Sequence, residues 1–273
     1  MSKLSICALW LQHLLGRVTV FITAPLIICA IRLAGYRIRD LHNIRREIAR
    51  TVRQHNGPWL ICANHLTLID SFILAYAMFP VYRYMLQYSL IPWNVPEQAN
   101  FNRGILLSFF CYLVKCIPVK RGGDRHSVKR SMDKCAYLLN HGQSLMIFPE
   151  GTRSRTGRVS SENCTYHVGR LVNKIPGTRV LCIYLRGDRQ KTYSNFPRLW
   201  ETFTAAASQY RPKTELKGLR AYRDCARQII DQLSKMEIAY FDSCRKRHRR
   251  SQNAGGKRKK HRHPIYAQSI DPS

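Results

Sequence analysis

The sequence predicts an α/β protein: a mixed, mostly parallel sheet covered by helices, with an N-terminal membrane-embedding helical pair and a disordered basic C-terminal tail. The middle of the chain alternates short apolar runs, typical of buried strands, with longer helix-like segments. The N-terminus is the most apolar region, and the C-terminal region is rich in arginine, lysine and histidine. We therefore predict three regions: a membrane-associated helical pair over 1–35, a folded domain over 36–243, and a basic disordered tail over 244–273.

Two hydrophobic stretches, residues 4–15 and 18–31, make up the N-terminal region. Gly16 and Arg17 separate them, and Pro25 interrupts the second. Each stretch is shorter than the roughly 20 residues that a membrane-spanning helix needs. The region contains no small-residue cleavage site, which argues against a secretory signal. The favoured interpretation is a helical pair lying in one leaflet. A single tilted span across both stretches and a buried soluble hairpin are the alternatives.

The folded region is predicted from apolar runs bounded by glycine, proline or charged residues. Pro80 ends one helix, and Gly142 suits the C-terminal cap of another. In chain order, the predicted elements are a strand at 59–63, a helix at 69–78, a strand at 82–86, a helix at 105–113, a short strand at 116–119, a helix at 128–140, strands at 144–148 and 180–185, and a long amphipathic helix at 218–240.

The charge of the chain indicates an anionic partner. Its formal net charge is +29, and residues 245–262 contribute ten Lys/Arg residues and no acid, which leaves 29 − 10 = +19 elsewhere. A field of this size attracts nucleic acid, an anionic membrane surface or phosphorylated substrates. The ten cysteines are scattered without a Cys-x-x-Cys pair, which favours reduced thiols in a cytosolic environment.

Two hypotheses apply to Asn64-His65-Leu66-Thr67-Leu68-Ile69-Asp70. Thr67 and Asp70 fit a capping box at the start of a helix, with Thr67 as the N-cap. Alternatively, His65 is a catalytic base and Asp70 the carboxylate that orients it. The two side chains can meet if His65 lies on the loop that enters the helix and Asp70 on its first turn, so the hypotheses are compatible.

Two further segments carry charges next to glycine. Phe148-Pro149-Glu150-Gly151-Thr152-Arg153-Ser154 follows a predicted strand and suits an anion site, because glycine permits close approach and arginine offers forked donors. A turn with a surface salt bridge is the alternative. Ile117-Pro118-Val119-Lys120-Arg121-Gly122-Gly123 places two cations at another strand end. It lacks the spacing of a nucleotide P-loop, which argues against ATP or GTP hydrolysis.

Together these segments resemble the glycerolipid acyltransferase family, whose best-known members are the 1-acyl-sn-glycerol-3-phosphate acyltransferases. Asn64-His65 and Asp70 are similar to its first motif, and residues 118–121 to the end of its second. Residues 148–154 match the third motif in full, and the resemblance covers roughly residues 55–190 in order and spacing. The fourth motif departs, because Cys182 stands where the family usually has proline.

The resemblance implies transfer of a fatty acyl group from a thioester to a lysolipid hydroxyl. His65 would be the general base, and Asp70 would hold its tautomer and stabilise the imidazolium. Arginines would hold the acceptor phosphate. Asn64 would orient the loop or stabilise the oxyanion; a purely structural hydrogen-bonding role is an equal alternative. The implied substrate-binding residues are Asn64, Arg121, Glu150, Gly151, Thr152 and Arg153. No metal or bound cofactor is implied.

The expected reaction is acylation of 1-acyl-sn-glycerol-3-phosphate to phosphatidic acid in phospholipid biosynthesis, with acyl-CoA or acyl carrier protein as the donor. Another lysophospholipid or a lyso-amino-lipid is an alternative acceptor. The expected partners are membrane lipids and an anionic membrane surface, at the cytoplasmic face of the inner membrane of a bacterium. From a different class, a nucleic-acid-binding protein would use the basic tail to bind phosphates without sequence preference, an option that is not favoured because no aromatic side chains interleave the basic run.

Overall fold

The computed structural model describes residues 1–260 apart from 102–103, 121 and 161–163. It does not describe the side chains of residues 100, 101, 248 and 250–260. The chain forms two compact units, Met1–Ser234 and a second beginning at Lys235. The sheet and every predicted site residue belong to the first unit.

One continuous helix, α1 (Lys3–Leu33), replaces the predicted helical pair. Gly16 does not break it but lies at a close contact: a Cβ there would be 1.9 Å from the Tyr88 hydroxyl oxygen and 2.6 Å from the Leu113 carbonyl oxygen. Pro25 is tolerated within the helix, where it removes its own N–H donor. Among the described residues, α1 alone is long and apolar enough to cross a membrane by length and composition.

The remaining elements alternate as the sequence predicts. They are β1 (Arg37–Ile38), α2 (Leu41–Arg53), β2 (Trp59–Ala63), α3 (Asp70–Met78), α4 (Val81–Leu86), a 3-10 helix (Tyr88–Leu90), β3 (Trp93–Asn94), α5 (Gln98–Phe101), α6 (Ile105–Leu113), α7 (Arg125–Asn140), β4 (Leu145–Ile147), α8 (Tyr166–Lys174), β5 (Arg179–Gly187), β6 (Thr202–Tyr210) and α9 (Gly218–Lys260). The α/β fold class is confirmed.

The strands form a six-stranded sheet in the order β1-β6-β5-β2-β4-β3. Its pairs are parallel except β5 with β6, which is antiparallel, so the sheet is mixed and mostly parallel. All five residues of β2 are buried, as expected for a central strand covered on both faces. Cys182 lies opposite Cys62 of β2 and Ser208 of β6. A proline at this position would remove a backbone N–H donor, whereas cysteine keeps it.

Alternate residues of β2 face different cores. Trp59, Ile61 and Ala63 join the cluster that packs β4, β5 and β6 against α2, α3 and the C-terminal end of α1. Helices α7, α8 and α9 contribute further buried residues; Gly169 of α8 lies so near α9 that a Cβ would be 1.9 Å from the Tyr222 carbonyl oxygen. The sheet thus presents the carboxyl ends of β2 and β4 side by side, which is where open-sheet sites form.

Three predicted elements differ in the structure. Residues 82–86 were predicted as a strand but belong to helix α4, where Pro80 is the N-cap and the Tyr84 hydroxyl donates to the Ala75 carbonyl oxygen at 2.6 Å. The predicted strand at 116–119 is reduced to two isolated bridges, from Cys116 to Asn94 and from Val119 to Glu97. Helix α7 begins three residues early because the Asp124 side chain caps it by accepting from Ser127 N.

The basic C-terminal region also differs in part. Helix α9 continues to Lys260, past the predicted start of disorder at residue 244. Arginine, lysine, glutamine and alanine are good helix formers, so this composition permits a helix although it offers no apolar face. The end of the predicted tail, residues 261–273, lies outside the described residues.

Candidate active site

The first motif forms a short loop between β2 and α3, which we call the His65 loop (residues 64–69). It leaves the sheet at the carboxyl end of β2, and Asp70 is the first residue of α3. Asp70 is only 3% exposed. The prediction that Thr67 is the N-cap of the helix is wrong. The N-cap is Ile69, and no side chain caps the helix.

The Asp70 carboxylate both folds this loop and holds His65. Its Oδ2 accepts from the Leu66 and Thr67 backbone N–H groups at 2.6 and 2.8 Å, and its Oδ1 accepts from the Thr67 hydroxyl at 2.5 Å. The same Oδ2 lies 3.0 Å from His65 Nδ1. One carboxylate therefore both organises the loop and contacts His65, so the two side chains meet as the second hypothesis requires.

The His65 ring is fixed in tautomer and in plane. An ionised carboxylate only accepts hydrogen bonds, so Nδ1 carries the proton and Nε2 keeps its lone pair. The ring stacks on Phe148, with centroids 4.1 Å apart and planes 18° from parallel. The His65 side chain is 12% exposed and lines a cavity of about 310 Å³. This geometry leaves the lone pair of Nε2 available to a molecule in that cavity.

The third motif holds the His65 backbone from both sides. His65 N donates to Glu150 Oε1 at 3.1 Å, and Ser154 N donates to the His65 carbonyl oxygen at 2.9 Å. Between them, Gly151 adopts φ +73°, and a Cβ there would lie 2.5 Å from Thr165 Cγ2. Glycine at this position therefore satisfies both a left-handed backbone and a close approach.

Asn64 uses both ends of its amide on the backbone of β5. Its Nδ2 donates to the Leu185 carbonyl oxygen at 2.9 Å, and its Oδ1 accepts from Leu185 N at 2.8 Å. The side chain is 4% exposed. These contacts favour the structural alternative for Asn64, in which it fixes the end of β2 against its neighbour.

Arg153 reaches over the site from the third motif. Its Nη1 donates to the Ser194 carbonyl oxygen at 2.8 Å and to Asn195 Oδ1 at 2.9 Å, and its guanidinium lies over the Tyr193 ring at 5.4 Å. Residues 194 and 195 in turn bond to the His65 loop: Ser194 N donates to the Leu66 carbonyl oxygen, and Leu68 N donates to the Asn195 carbonyl oxygen. Arg153 is thus tied to the loop that backs His65. The other predicted arginine, Arg121, lies outside the described residues.

Two cavities share the third motif. The smaller contains His65; a larger one, of about 820 Å³, extends past Lys120, Val128 and His167. Five residues line both: Val95, Phe148, Thr152, Arg153 and Arg155. Cationic side chains in the larger cavity are well placed to attract an anionic substrate.

Some lining residues were not predicted from the sequence. The sequence assigned no role to Arg155, Tyr193 or His167, and Phe148 was quoted in its motif without the ring contact to His65. Arg155 stands two residues after Arg153, a spacing that offered a signal. His167 belongs to α8, which was not predicted; burial and then Arg170 lower its pKa.

A metal site does not emerge from the described part of the chain, where no group of three or more His, Cys, Asp or Glu residues is suitably placed to hold an ion. The absence of a metal from the reaction remains a prediction.

Comparisons with known proteins give a similar solved structure and a matching family model. A solved structure of the 1-acyl-sn-glycerophosphate (LPA) acyltransferase PlsC from Thermotoga maritima is similar over 88% of this chain and 84% of that one, with 14% identity and a TM-score of 0.46. No curated protein matches the chain. The family model named Acyltransferase matches residues 35–212, which contain the His65 loop and the third motif. Because that match spans more than half of the 273 residues, the chain belongs to the acyltransferase family.

Proposed function

We propose that this acyltransferase moves a fatty acyl group from an acyl thioester to the free hydroxyl of a lysolipid, with 1-acyl-sn-glycerol-3-phosphate as acceptor and phosphatidic acid as product. The observation that carries the proposal is the His65–Asp70 contact of 3.0 Å at a cavity that also contains Arg153. It combines a general base with a cation for an anionic acceptor.

The reaction proceeds by direct attack. His65 Nε2 takes the proton of the acceptor hydroxyl as its oxygen bonds to the thioester carbonyl carbon. The resulting imidazolium is stabilised by the Asp70 carboxylate and by the Phe148 ring beneath it. The tetrahedral intermediate then expels the thiolate, which receives the proton from His65 and leaves as a thiol. An ester bond has formed and a thioester bond has broken.

Acceptor recognition falls to the cationic side of the site. Arg153 and Arg155 line both cavities, and Lys120 lines the larger. Forked donors of an arginine suit a phosphate oxygen pair. Gly151 lines the larger cavity beside Thr152, and its left-handed backbone shapes the turn on which we expect the acceptor to bind. Arg121 belongs to this proposal on the strength of its motif alone.

An apolar pocket supports a fatty acyl substrate. It measures about 80 Å³ and lies among α1, α3 and the residues that precede β3. Ser71 and Asn94 line both this pocket and the cavity that contains His65. At this volume the pocket can take only a short part of an acyl chain whose carbonyl is held near His65.

The proposed partner of the enzyme is an anionic membrane at the cytoplasmic face. Its support is the apolar surface of α1 together with the charge of +29, since polybasic segments are drawn to anionic lipid. The acyl donor is acyl-CoA or acyl carrier protein.

The test is an acyl-transfer assay with purified protein, both donors and a panel of lysolipids that includes phosphate-free acceptors. His65→Ala should lower turnover by roughly 10²-fold or more, because the general base is lost. Circular dichroism should be unchanged. A folded His65→Ala protein with near-normal turnover would disprove the mechanism, and equal activity on phosphate-free acceptors would disprove the choice of acceptor.

A further inference from the structure

Helix α1 packs along the protein body through one face for most of its length. Near its start, Trp10 Nε1 donates to the Tyr137 hydroxyl at 3.1 Å, and Gln12 Nε2 donates to the Tyr112 and Cys116 carbonyl oxygens at 2.9 and 3.0 Å. Near its end, Ile31 joins the core of the sheet. The buried positions recur every three or four residues from Leu9 to Thr23, and again two turns later at Ile31: Leu9, Gln12, Gly16, Val20, Thr23 and Ile31.

The opposite face of α1 is apolar and uncovered. Its exposed side chains recur with the same helical period and include Leu4, Leu11, Val18, Ile22, Leu26 and Leu33. We call this face the outer stripe. A helix that is apolar on both faces needs a second apolar environment besides the protein core.

Arg17 indicates that α1 lies along a membrane and does not cross it. This residue is exposed and stands near the middle of the 31-residue helix. In a spanning helix it would lie near the centre of the bilayer, where a charge is costly. The body packed along α1 would also enter the hydrocarbon. In a helix lying in the membrane surface, Arg17 can extend its charge to the headgroups.

Helix α6 adds a second uncovered apolar surface beside α1. None of its nine residues is buried, and Ile105, Leu106 and Phe109 are 90%, 85% and 58% exposed. None carries a charge. The C-terminal end of α6 packs against α1, because the Leu113 carbonyl oxygen occupies the space that a Cβ of Gly16 would fill.

We propose that α6 inserts into the same lipid leaflet as the outer stripe of α1, so that the two helices form one lipid-binding surface, the apolar platform. The platform joins the N-terminus to a helix from within the acyltransferase domain. Lipid suits it better than a second copy of the chain, because a charge of +29 opposes self-association and favours an anionic membrane.

The position of α6 in the chain relates the platform to the proposed function, on which this inference rests. The segment that follows α6 continues through Val119 to Lys120, both of which line the larger cavity. Insertion of α6 would bring the leaflet next to that side of the site. A lysolipid acceptor would then reach the cavity from the membrane without crossing water.

The test measures flotation of purified protein with neutral phosphatidylcholine vesicles and no substrates. Leu106→Asp combined with Phe109→Asp should weaken binding roughly tenfold or more, because carboxylates enter lipid poorly. The matched control is Leu216→Asp combined with Leu219→Asp, which changes residues 51% and 47% exposed in the same unit but outside the platform. The control should bind like the unmodified protein.

Hydrogen–deuterium exchange of the unmodified protein provides a second measurement that needs no variant to fold. Residues 105–113 should gain protection when vesicles are added, and residues 211–217 should not. Wild-type binding by the α6 variant, equal losses in both double variants, or unchanged exchange over α6 would each overturn the proposal. If the α6 variant binds vesicles normally but has a lower molecular mass in solution than the unmodified protein, α6 is instead a contact between copies of the chain. Because acyl transfer is not measured, failure here is separate from failure of the proposed reaction.

Discussion

At the His65 loop, three hydrogen-bond donors and the His65 ring converge on the buried carboxylate of Asp70, whereas on α1 and α6 large apolar side chains face outward uncovered. The first region buries polar groups at a cost that its hydrogen bonds offset. The second exposes apolar groups, which is unfavourable in water and favourable in lipid. The polar groups of the first region are satisfied within the protein, whereas the apolar side chains of the second fit the lipid leaflet that we propose for them.

The largest expected effect separates the two roles of Asp70. Asp70→Ala should lower turnover by roughly 10²-fold or more, as His65→Ala does. It should also lower the free energy of unfolding by roughly 2–4 kcal/mol, because the backbone N–H groups of Leu66 and Thr67 lose their acceptor. His65→Ala should lower the free energy of unfolding less, because it removes the ring contacts with Phe148 and Asp70 but leaves the backbone hydrogen bonds of the loop in place. Urea denaturation and steady-state kinetics on the same preparations provide both values.

Asp70→Asn is the matched control, since an amide oxygen still accepts from the backbone but carries no charge. It should lose turnover and keep most of the stability. If Asp70→Ala has normal stability, the carboxylate does not hold the loop, and hydrogen bonds to Asp70 do not stabilise the first of the two regions.

A smaller effect is expected at Arg153. Arg153→Ala should raise KM for a phosphate-bearing acceptor roughly tenfold or more and KM for the donor little, because a charge-assisted contact with the acceptor is lost. Arg153 also contacts Asn195, so Asn195→Ala is the control that removes this loop contact while retaining the guanidinium. If both variants raise KM equally, Arg153 acts by holding the loop and not by binding phosphate.

Gly16 tests how closely α1 packs against Tyr88 and the end of α6. Gly16→Ala should lower the free energy of unfolding by roughly 1–3 kcal/mol, because a methyl group would collide with Tyr88 and the Leu113 carbonyl. Gly104→Ala is the control, since nothing lies within 4 Å of a Cβ there. Thermal or urea denaturation in detergent gives the difference. Equal stability of both variants would mean that α1 and α6 are not packed as described.

The last effect concerns pH and Lys115, which lies between α6 and the bridge at Cys116. Its Nζ donates to the Tyr88 and Ile91 carbonyl oxygens at 3.1 and 2.9 Å, yet burial lowers the pKa of Lys115 from 10.5 to about 7. Between these two values the unfolded chain binds more protons than the folded one. The free energy of unfolding should therefore rise with pH in this range and stop changing below it, as far as Lys115 contributes.

Lys115→Met should remove that contribution, whose slope is at most about 1.4 kcal/mol per pH unit. Urea denaturation of both proteins at several pH values from 6 to 10 measures the difference. An identical pH dependence in the two proteins would show that the ammonium is stabilised by its carbonyl and aromatic contacts as well as it is by water.

Local sequence signals predicted the contact between His65 and Asp70 better than they predicted the packing of α1 and α6. His65 and Asp70 meet because six residues of loop and one carboxylate suffice to bring them together, so their spacing was informative. Helix α6 was predicted with its observed bounds, Ile105–Leu113, but its exposure depends on how α1 packs. That packing required Gly16 to be a contact, whereas in sequence it resembled a break.

Strand β6 was not predicted from the sequence, and helix α4 was predicted as a strand, for related reasons. Strand β6, Thr202–Tyr210, contains three successive alanines and has weak strand propensity. Its conformation is set by eight pairs with β5, which no local pattern reveals. Helix α4 shows the opposite error, because the aromatic and β-branched residues at 81–84 favour a strand while tertiary contacts of Tyr84 stabilise a helix.

The contacts of the third motif with the His65 backbone have a consequence for genetics and for kinetics alike. Glu150 and Ser154 hold His65 at its amide and its carbonyl, across 85 residues of sequence in the case of Glu150. Changes in the two motifs should therefore be strongly non-additive: once His65 is removed, loss of Glu150 has little further effect on turnover. Glu150, Ser154 and His65 therefore act as one cooperative unit, whereas Arg153 of the same motif contacts residues 194 and 195 and is expected to act separately.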